Sequence, residues 1–303
     1  MSSAAVTIDN VTKRYVQHVA VDGLSLVVPA GVIYGFIGPN GSGKTTTLRM
    51  IMRILHPDQG TITVLGEQRY GAANDRVGYL PEERGLYKSM TVRDLLTFYA
   101  ALKGMRNSKA SVMEWLDKLG LPEWAGKKVQ ALSKGMAQKV QFIAAVIAKP
   151  ELVLLDEPFS GLDPVNMDVL RDAILDLRKA GTTVIFSTHD MAVAEKMCDF
   201  IFMIYKGKKV LDGTLAEIQG QFGQDTVKVR WEGRGELAGF PGVVKVTDFG
   251  QWTELRLETG TDTQRLLAGL LQAGRVDHFE LAHPTLHDIF VRIAAPGSSE
   301  PHA

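Results

Sequence analysis

The 303-residue sequence has a single cysteine, no excess of either charge, and no long apolar run. The lone Cys198 excludes an internal disulfide framework and suits a reducing compartment, where we expect it to be a small buried side chain at a helix end. Lys and Arg number 34, as do Asp and Glu, so charge favours no nucleic-acid partner. Apolar runs stay below the ~18 residues that a membrane span needs, and residues 1–10 lack the pattern of a signal peptide. We therefore expect any membrane to be crossed by another polypeptide.

The length and composition indicate a globular protein with more than one domain. A chain of 303 residues exceeds a typical single domain, and 45% of the residues are hydrophobic. Residues 5 to about 215 alternate short apolar stretches with helical periodicity, which is typical of an α/β domain. After residue 223 short strands dominate, with two amphipathic helices predicted at 263–271 and 286–293. The order of these elements resembles a ferredoxin-like fold.

One motif matches the phosphate-loop pattern G-x-x-x-x-G-K-[ST] without a gap. It consists of Gly38, Pro39, Asn40, Gly41, Ser42, Gly43, Lys44, Thr45 and Thr46. A buried strand is predicted at 32–37 and a helix at 45–54, so the motif has the strand–loop–helix context of a true phosphate site. The alternative, a glycine-rich turn without a ligand, lacks that context.

The chemistry of this loop suits a nucleoside triphosphate and a magnesium ion. The glycines allow the backbone to curve around an anion, and the following helix adds its positive N-terminal end. Lys44 is expected to reach the β- and γ-phosphates, and the Thr45 hydroxyl is expected to bind Mg²⁺.

Two further strand ends supply polar groups. The strand predicted at 152–155 is entirely apolar and runs into Asp156 and Glu157, which indicates a central parallel strand with carboxylates at its ligand-binding end. We expect Asp156 to contact Mg²⁺ and Glu157 to act as a base or to orient an attacking water. His189 follows the strand predicted at 183–187. A lone histidine is usually structural, but at the end of a third parallel strand it could reach a γ-phosphate or the attacking water.

Together these residues resemble the ATP-binding cassette (ABC) family. Residues 132–136, Leu-Ser-Lys-Gly-Met, occupy the place of its signature motif, residues 160–163 resemble its D-loop, and residues 187–190 contain its switch histidine. Tyr15 matches the aromatic residue that stacks on adenine. The resemblance implies that Ser133, Lys134, Gly135, Met136 and Asp163 contribute to ATP binding.

The resemblance also implies a domain organisation. It predicts an α/β P-loop NTPase cassette at 5–222 with a helical subdomain at about 88–148, and a small α+β accessory domain at 224–294. Residues 295–303 are predicted to be a flexible tail. The C-terminal part of the chain, which ends in the segment 284–290, resembles the appended domain of the ABC-2 exporter branch. His278, His283 and His287 there lack metal-ligand spacing and are interpreted as structural or exposed.

Two positions depart from the common family pattern. Glu82 stands where the Q-loop normally has glutamine; its carboxylate can still ligate Mg²⁺ but cannot donate a hydrogen bond to water. Lys134 and Met136 replace a glycine and a glutamine of the signature. Lys134 either adds positive charge near the triphosphate of an opposite subunit or is a solvated lysine at a helix start.

The resemblance implies an ATPase subunit of a membrane exporter. Two cassettes, expected to be identical chains, would enclose two MgATP molecules and drive a separate permease at the cytoplasmic face of the membrane, as peripheral subunits. The segment 82–120 would contact that permease. Two alternatives stay open: a soluble cassette protein acting on ribosomes or DNA, and a regulatory module that binds ATP without turnover.

Overall fold

The computed structural model describes residues 4–68, 75–83, 85–222, 226–258 and 260–294. It divides into two compact units, residues 1–214 and residues 215–303. Two predictions fall outside the described residues: the tail at 295–303 and the start of the second domain at 224.

The first unit contains nine strands and six helices among the described residues. The strands are β1 (Ala4–Tyr15), β2 (His18–Pro29), β3 (Ile33–Ile37), β4 (Gln59–Val64), β5 (Val77–Leu80), β6 (Leu152–Asp156), β7 (Thr183–Thr188), β8 (Phe200–Tyr205) and β9 (Lys208–Gly213). The helices are α1 (Lys44–Ile51), α2 (Val92–Leu102), α3 (Lys109–Lys118), α4 (Lys134–Val146), α5 (Pro164–Lys179) and α6 (Met191–Met197).

The central sheet of this unit has six strands in the order β5-β6-β7-β3-β8-β9. All pairings are parallel except that of β8 with β9. Every residue of β3, β6 and β7 is buried, as expected of central parallel strands covered on both faces. The order brings the ends of β3, β6 and β7 side by side, so the segments that follow them meet at one edge.

Two apolar cores cover the two faces of the central sheet. One lies between this sheet, α1 and a second, antiparallel sheet of order β2-β1-β4. The other packs α2, α3, α4 and α5 against the opposite face. The unit therefore has three layers, with the phosphate loop between β3 and α1.

Helix starts in this unit agree with local capping chemistry. The side chains of Thr91, Ser133 and Asp163 accept hydrogen bonds from backbone N–H groups in the first turns of α2, α4 and α5. Pro164 occupies the first position of α5, where its missing N–H costs no helical hydrogen bond.

The described part of the second unit combines three α-helices with one antiparallel sheet. Its elements are α7 (Leu215–Gln221), β10 (Thr226–Gly233), β11 (Val243–Asp248), β12 (Thr253–Leu257), α8 (Thr263–Ala273), β13 (Gly274–Ala282) and α9 (Leu286–Ala294). The sheet order is β11-β12-β10-β13. Order and directions are those of a ferredoxin-like sheet, with the first crossover helix reduced to a short 3₁₀ turn at Leu237–Gly239.

The predicted fold class is confirmed: an α/β cassette is followed by a small α+β unit. The pattern of the sequence did not predict β8, β9 or α7. Among the described residues no helix combines the length and the apolar character that a bilayer crossing requires.

Candidate functional site

The phosphate loop is held in a conformation that its glycines allow. Gly38, Gly41 and Gly43 have φ angles of 153°, 77° and 112°. A Cβ at Gly38 would lie 2.2 Å from the Ile204 carbonyl oxygen, and one at Gly43 would lie 2.4 Å from that of Ala20. Both glycines therefore let the loop pack directly against the neighbouring backbone.

Lys44 begins α1 and crosses the loop. Its side chain is only 6% exposed, and Nζ donates to the carbonyl oxygens of Gly38 at 2.7 Å and Pro39 at 3.2 Å. Burial lowers the pKa of Lys44, while the carboxylates of Glu157, Asp156 and Glu82 act in the opposite direction. The ammonium group thus lies in a negatively charged surrounding, 3.8 Å from Glu157 Oε1.

Asp156 joins three parts of the chain. One carboxylate oxygen, Oδ1, accepts hydrogen bonds from Thr45 Oγ1 at 3.1 Å and from Ser187 Oγ at 2.5 Å. The other, Oδ2, is buried without a hydrogen-bond partner among the described residues, as is Ser42 Oγ. Buried polar atoms are rarely left unpaired, so these two indicate a place prepared for a polar ligand.

Glu157 has an unusual backbone and a polar environment. Its φ angle is 48°, which costs a side-chain-bearing residue roughly 1–3 kcal/mol. The backbone N–H donates to Ser187 Oγ at 3.1 Å, and the carboxylate Oε1 lies 3.0 Å from His189 Nδ1. Strain of this kind is concentrated at functional sites. The conformation turns the Glu157 side chain towards Lys44 and His189.

A cavity of about 380 Å³ borders the loop. Its walls are formed by His18, Ala20, Asn40, Gly41, Ser42, Gly43, Lys44, Thr45, Thr46, Glu82 and Glu157. The ring of Tyr15 is 42% exposed and stacks on that of His18, with centroids 5.4 Å apart. Glu82 follows β5 and contributes its carboxylate to the same cavity; Gln141 on α4 supports this segment by donating to the carbonyl oxygens of Pro81 and Glu83.

The signature and D-loop residues form a separate surface. We call residues 133–136 and 160–163 the signature face. A Cβ at Gly161 would lie 2.7 Å from Lys134 Cε, so the lysine side chain covers that glycine. Lys134 is exposed at the first position of α4, as expected of a solvated lysine at a helix start, and the role towards an opposite subunit stays a prediction. Met136 is half-buried and its backbone N–H donates to Ser133, which caps α4, and Asp163 caps α5.

The structure brings the predicted residues together in two groups. The phosphate loop, Glu82, Asp156, Glu157 and His189 meet around one cavity or directly beside it. Among the described residues, those of the signature face do not line that cavity. Sequence reasoning missed His18 and Ser187. For His18 the signal in the sequence was an aromatic ring three residues after Tyr15. For Ser187 it was a hydroxyl group within a strand that is otherwise mostly apolar.

Fold and site define a phosphate-loop nucleotide-binding protein, and comparison with known sequences identifies its family. The sequence model described as ABC transporter matches residues 21–160, and that of the ATP-binding protein DrrA1-3-like C-terminal domain matches residues 213–294. A third, described as an AAA domain and putative AbiEii toxin, matches residues 128–195 within the first unit.

Curated relatives agree over nearly the whole length. The uncharacterized ABC transporter ATP-binding protein YhaQ of Bacillus subtilis is 41% identical over 94% of this chain and 97% of its own. The daunorubicin resistance ATP-binding protein DrrA3 of Streptomyces coeruleorubidus is 32% identical over 97% and 96%. The Nod factor export ATP-binding protein I of Burkholderia orbicola is 34% identical over 97% and 98%. The chain belongs to the ATP-binding proteins of ABC transporters.

Solved structures resemble this chain over part of its length. An ATP-binding subunit of an ABC transporter superposes with a TM-score of 0.67 at 28% identity, covering 72% of this chain and 93% of its own. CbiO1 of Clostridium perfringens, part of the ABC transporter complex cbiONQ, gives a TM-score of 0.64 at 22% identity, covering 72% and 92%. At 22% identity, the similarity to CbiO1 shows a shared fold alone.

Proposed function

We propose that this protein binds and hydrolyses ATP as a peripheral subunit of a membrane exporter. Two copies pair around two MgATP molecules and drive a separate permease at the cytoplasmic face of the membrane. The observation that carries the proposal is the separation of the phosphate-loop cavity from an exposed signature face in one chain. Each copy then supplies one part of each ATP site.

ATP binding is assigned to the phosphate loop and to the stacked rings of Tyr15 and His18. The free backbone N–H groups of the loop and the N-terminus of α1 bind the phosphates, and Lys44 exchanges its carbonyl acceptors for phosphate oxygens. Tyr15 stacks on the adenine from the exposed end of β1.

The residues beside the loop fit a magnesium ion. Thr45 Oγ1 and the unpaired Oδ2 of Asp156 are hard oxygen ligands of the type that Mg²⁺ prefers, and the carboxylate of Glu82 borders the same cavity. When bound, the ion neutralises charge on the phosphate oxygens during transfer. Asp156 is positioned for this task by its hydrogen bond from Ser187.

Hydrolysis is assigned to Glu157, assisted by His189 and Lys44. The carboxylate of Glu157 orients the attacking water and accepts its proton. His189 lies 3.0 Å from that carboxylate, and its side chain, which is 60% exposed, is assigned the contact with the γ-phosphate. Lys44 stabilises the negative charge that develops on the transferred group.

Pairing is assigned to the signature face. Ser133 and Gly135 lie at the N-terminus of α4, whose free N–H groups and positive end attract an anion. A triphosphate held by one copy leaves its outer side open, and α4 of the second copy closes it. ATP then links the two copies until hydrolysis releases them.

Contact with the permease is assigned to the helical segment after β5. A cavity of about 320 Å³ there has walls that include Pro81, Leu86 and Tyr99. Beside it the side chains of Tyr87, Phe98 and Leu102 are 54%, 37% and 61% exposed. Apolar groups exposed together suit a helix from a membrane partner. The export direction follows the names of the daunorubicin-resistance and Nod-factor-export relatives.

The test compares ATP turnover by the purified protein and by Glu157→Gln, with size-exclusion chromatography in MgATP. We expect turnover to fall by about 100- to 10,000-fold in the variant, the range of a lost general base. We also expect the variant to elute as a dimer, because ATP stays uncleaved. ATP binding without turnover by the unmodified chain would contradict the proposal and favour the regulatory module.

A further inference from the structure

A buried lysine links α4 to the start of α5. Lys139 is 5% exposed, and its Nζ donates to the carbonyl oxygen of Leu119 at 2.7 Å and to Asn166 Oδ1 at 2.8 Å. Both acceptors are uncharged. Burial lowers the pKa of Lys139, while the carboxylates of Asp163 and Glu123 act in the opposite direction. A buried ammonium is costly, so its retention points to a task beyond packing.

Asn166 connects Lys139 to Asp163 of the D-loop through hydrogen bonds. Its backbone N–H donates to Asp163 Oδ1 at 3.0 Å, and its side-chain Nδ2 donates to Asp163 Oδ2 at 2.5 Å. An ammonium group only donates, so Lys139 holds the carbonyl side of the Asn166 amide. The amide nitrogen is thereby directed at Asp163. The two hydrogen bonds also keep the pKa of the Asp163 carboxyl below its usual value.

Other residues of α4 contact the same segment. Gln138 Nε2 donates to the Pro158 carbonyl oxygen at 3.0 Å. A Cβ at Gly135 would lie 3.3 Å from Leu162 Cδ2, and Lys134 covers Gly161. The N-terminal turns of α4 therefore contact Gly161 and Leu162 of the D-loop and Pro158 just before it.

We propose that Lys139 is a positioning residue, which acts through Asn166 to hold Asp163 at a set distance from Ser133. The two halves of the signature face then approach the opposite copy as one rigid surface. The proposal rests on the pairing described under the proposed function. A purely structural role, in which Lys139 only joins α3 to α4, is the competing explanation.

The experiment compares three variants with one control. Lys139→Met keeps an unbranched side chain of similar length and removes the charge, and Lys139→Arg restores a hydrogen-bond donor. Asn166→Ala removes the link between Lys139 and Asp163 but keeps the hydrogen bond from Lys139 to Leu119. Lys118→Met is the control, because Lys118 also ties α3 to α5, through Asp176 at 2.9 Å, without contacting the D-loop. The readouts are kcat and KM for ATP, and hydrogen exchange of peptides covering 158–166 and 38–46.

We expect kcat to fall by about 10- to 100-fold in Lys139→Met and Asn166→Ala, the size of effect that a misplacement of about 1 Å produces. KM should stay within about twofold, since the phosphate loop is not touched, and Lys139→Arg should recover most of kcat. Exchange should rise at 158–166 and not at 38–46. Lys118→Met should resemble the unmodified protein.

Two results would overturn the proposal. One is an Asn166→Ala variant with unchanged kcat and unchanged exchange at 158–166; the other is an equal loss of kcat in Lys118→Met. If the unmodified protein shows no turnover, the proposed function fails. The exchange measurement then still decides whether Lys139 and Asn166 hold the D-loop.

Discussion

The phosphate-loop site and the signature face differ in how their polar groups are satisfied. Lys44, Asp156 and Glu157 are buried and contact one another or their immediate neighbours, and Glu157 has a strained backbone. Ser133, Lys134 and Asp163 are exposed at helix N-termini, where their hydrogen bonds are local. The first region is organised by contacts within the chain, whereas the second leaves its polar groups exposed at the surface.

This difference explains why one cassette is expected to bind ATP alone but to hydrolyse it only as a pair. A buried site with prearranged charges needs little reorganisation when the ligand enters. A helix N-terminus at the surface gains most when an anion is brought to it and water is excluded. Variants in the two regions should therefore separate binding from turnover.

The largest effect is expected on the buried side. Replacing Lys44 by alanine removes a charged donor to the phosphates, and charge-assisted hydrogen bonds contribute about 1.5–3 kcal/mol each. With two such bonds we expect ATP affinity to fall by about 100- to 10,000-fold. Calorimetric titration measures it, with Lys179→Ala on the exposed surface of α5 as the control. An affinity within threefold of the unmodified value would remove Lys44 from the binding site.

A change in the signature face should act on turnover and spare binding. Aspartate caps a helix as well as serine does, so Ser133→Asp keeps α4 intact while placing a negative charge before the partner's phosphates. Like charges brought together cost several kcal/mol, so we expect turnover and MgATP-dependent pairing to fall by about 100-fold or more. ATP affinity of the single chain should change less than twofold. Equal losses of affinity and turnover would contradict the separation of the two regions.

The smallest effect is expected from a residue behind the site. Ser187→Ala removes the hydroxyl that contacts both Asp156 Oδ1 and the Glu157 N–H. Losing one partner of a buried group costs about 1–3 kcal/mol, so we expect a lower midpoint of thermal unfolding and a kcat reduced about tenfold. Ser25→Ala, at an exposed position of β2 where the hydroxyl accepts a hydrogen bond from the Asn10 N–H at 3.0 Å, tests whether a lost hydroxyl by itself has this effect. A normal kcat in Ser187→Ala would make Ser187 a packing residue only.

Local patterns predicted most of the cassette and the main polar residues of its site. The apolar runs at 33–37, 152–155 and 183–187 are central strands because a segment apolar on both faces is stable only when both faces are covered. The helix predicted at 45–54 is observed as α1 at Lys44–Ile51, since helical periodicity depends on neighbouring residues. In contrast β8, β9 and α7 were missed, although Ile201, Phe202, Met203 and Ile204 in β8 are all buried. Short apolar runs such as this one are ambiguous between strand and helix.

The sequence by itself determined the class of ligand, because the phosphate loop and its flanking elements are contiguous and their chemistry follows from residue type and spacing. Only the tertiary structure decided that His18 lines the cavity beside Tyr15, that Ser187 connects Asp156 to Glu157, and that Lys139 reaches the D-loop through Asn166. The contacts of Ser187 and Lys139 join residues about 20 to 30 positions apart, and their existence depends on how strands and helices pack. No local pattern encodes such distances, since they arise only when the layers close around a common core.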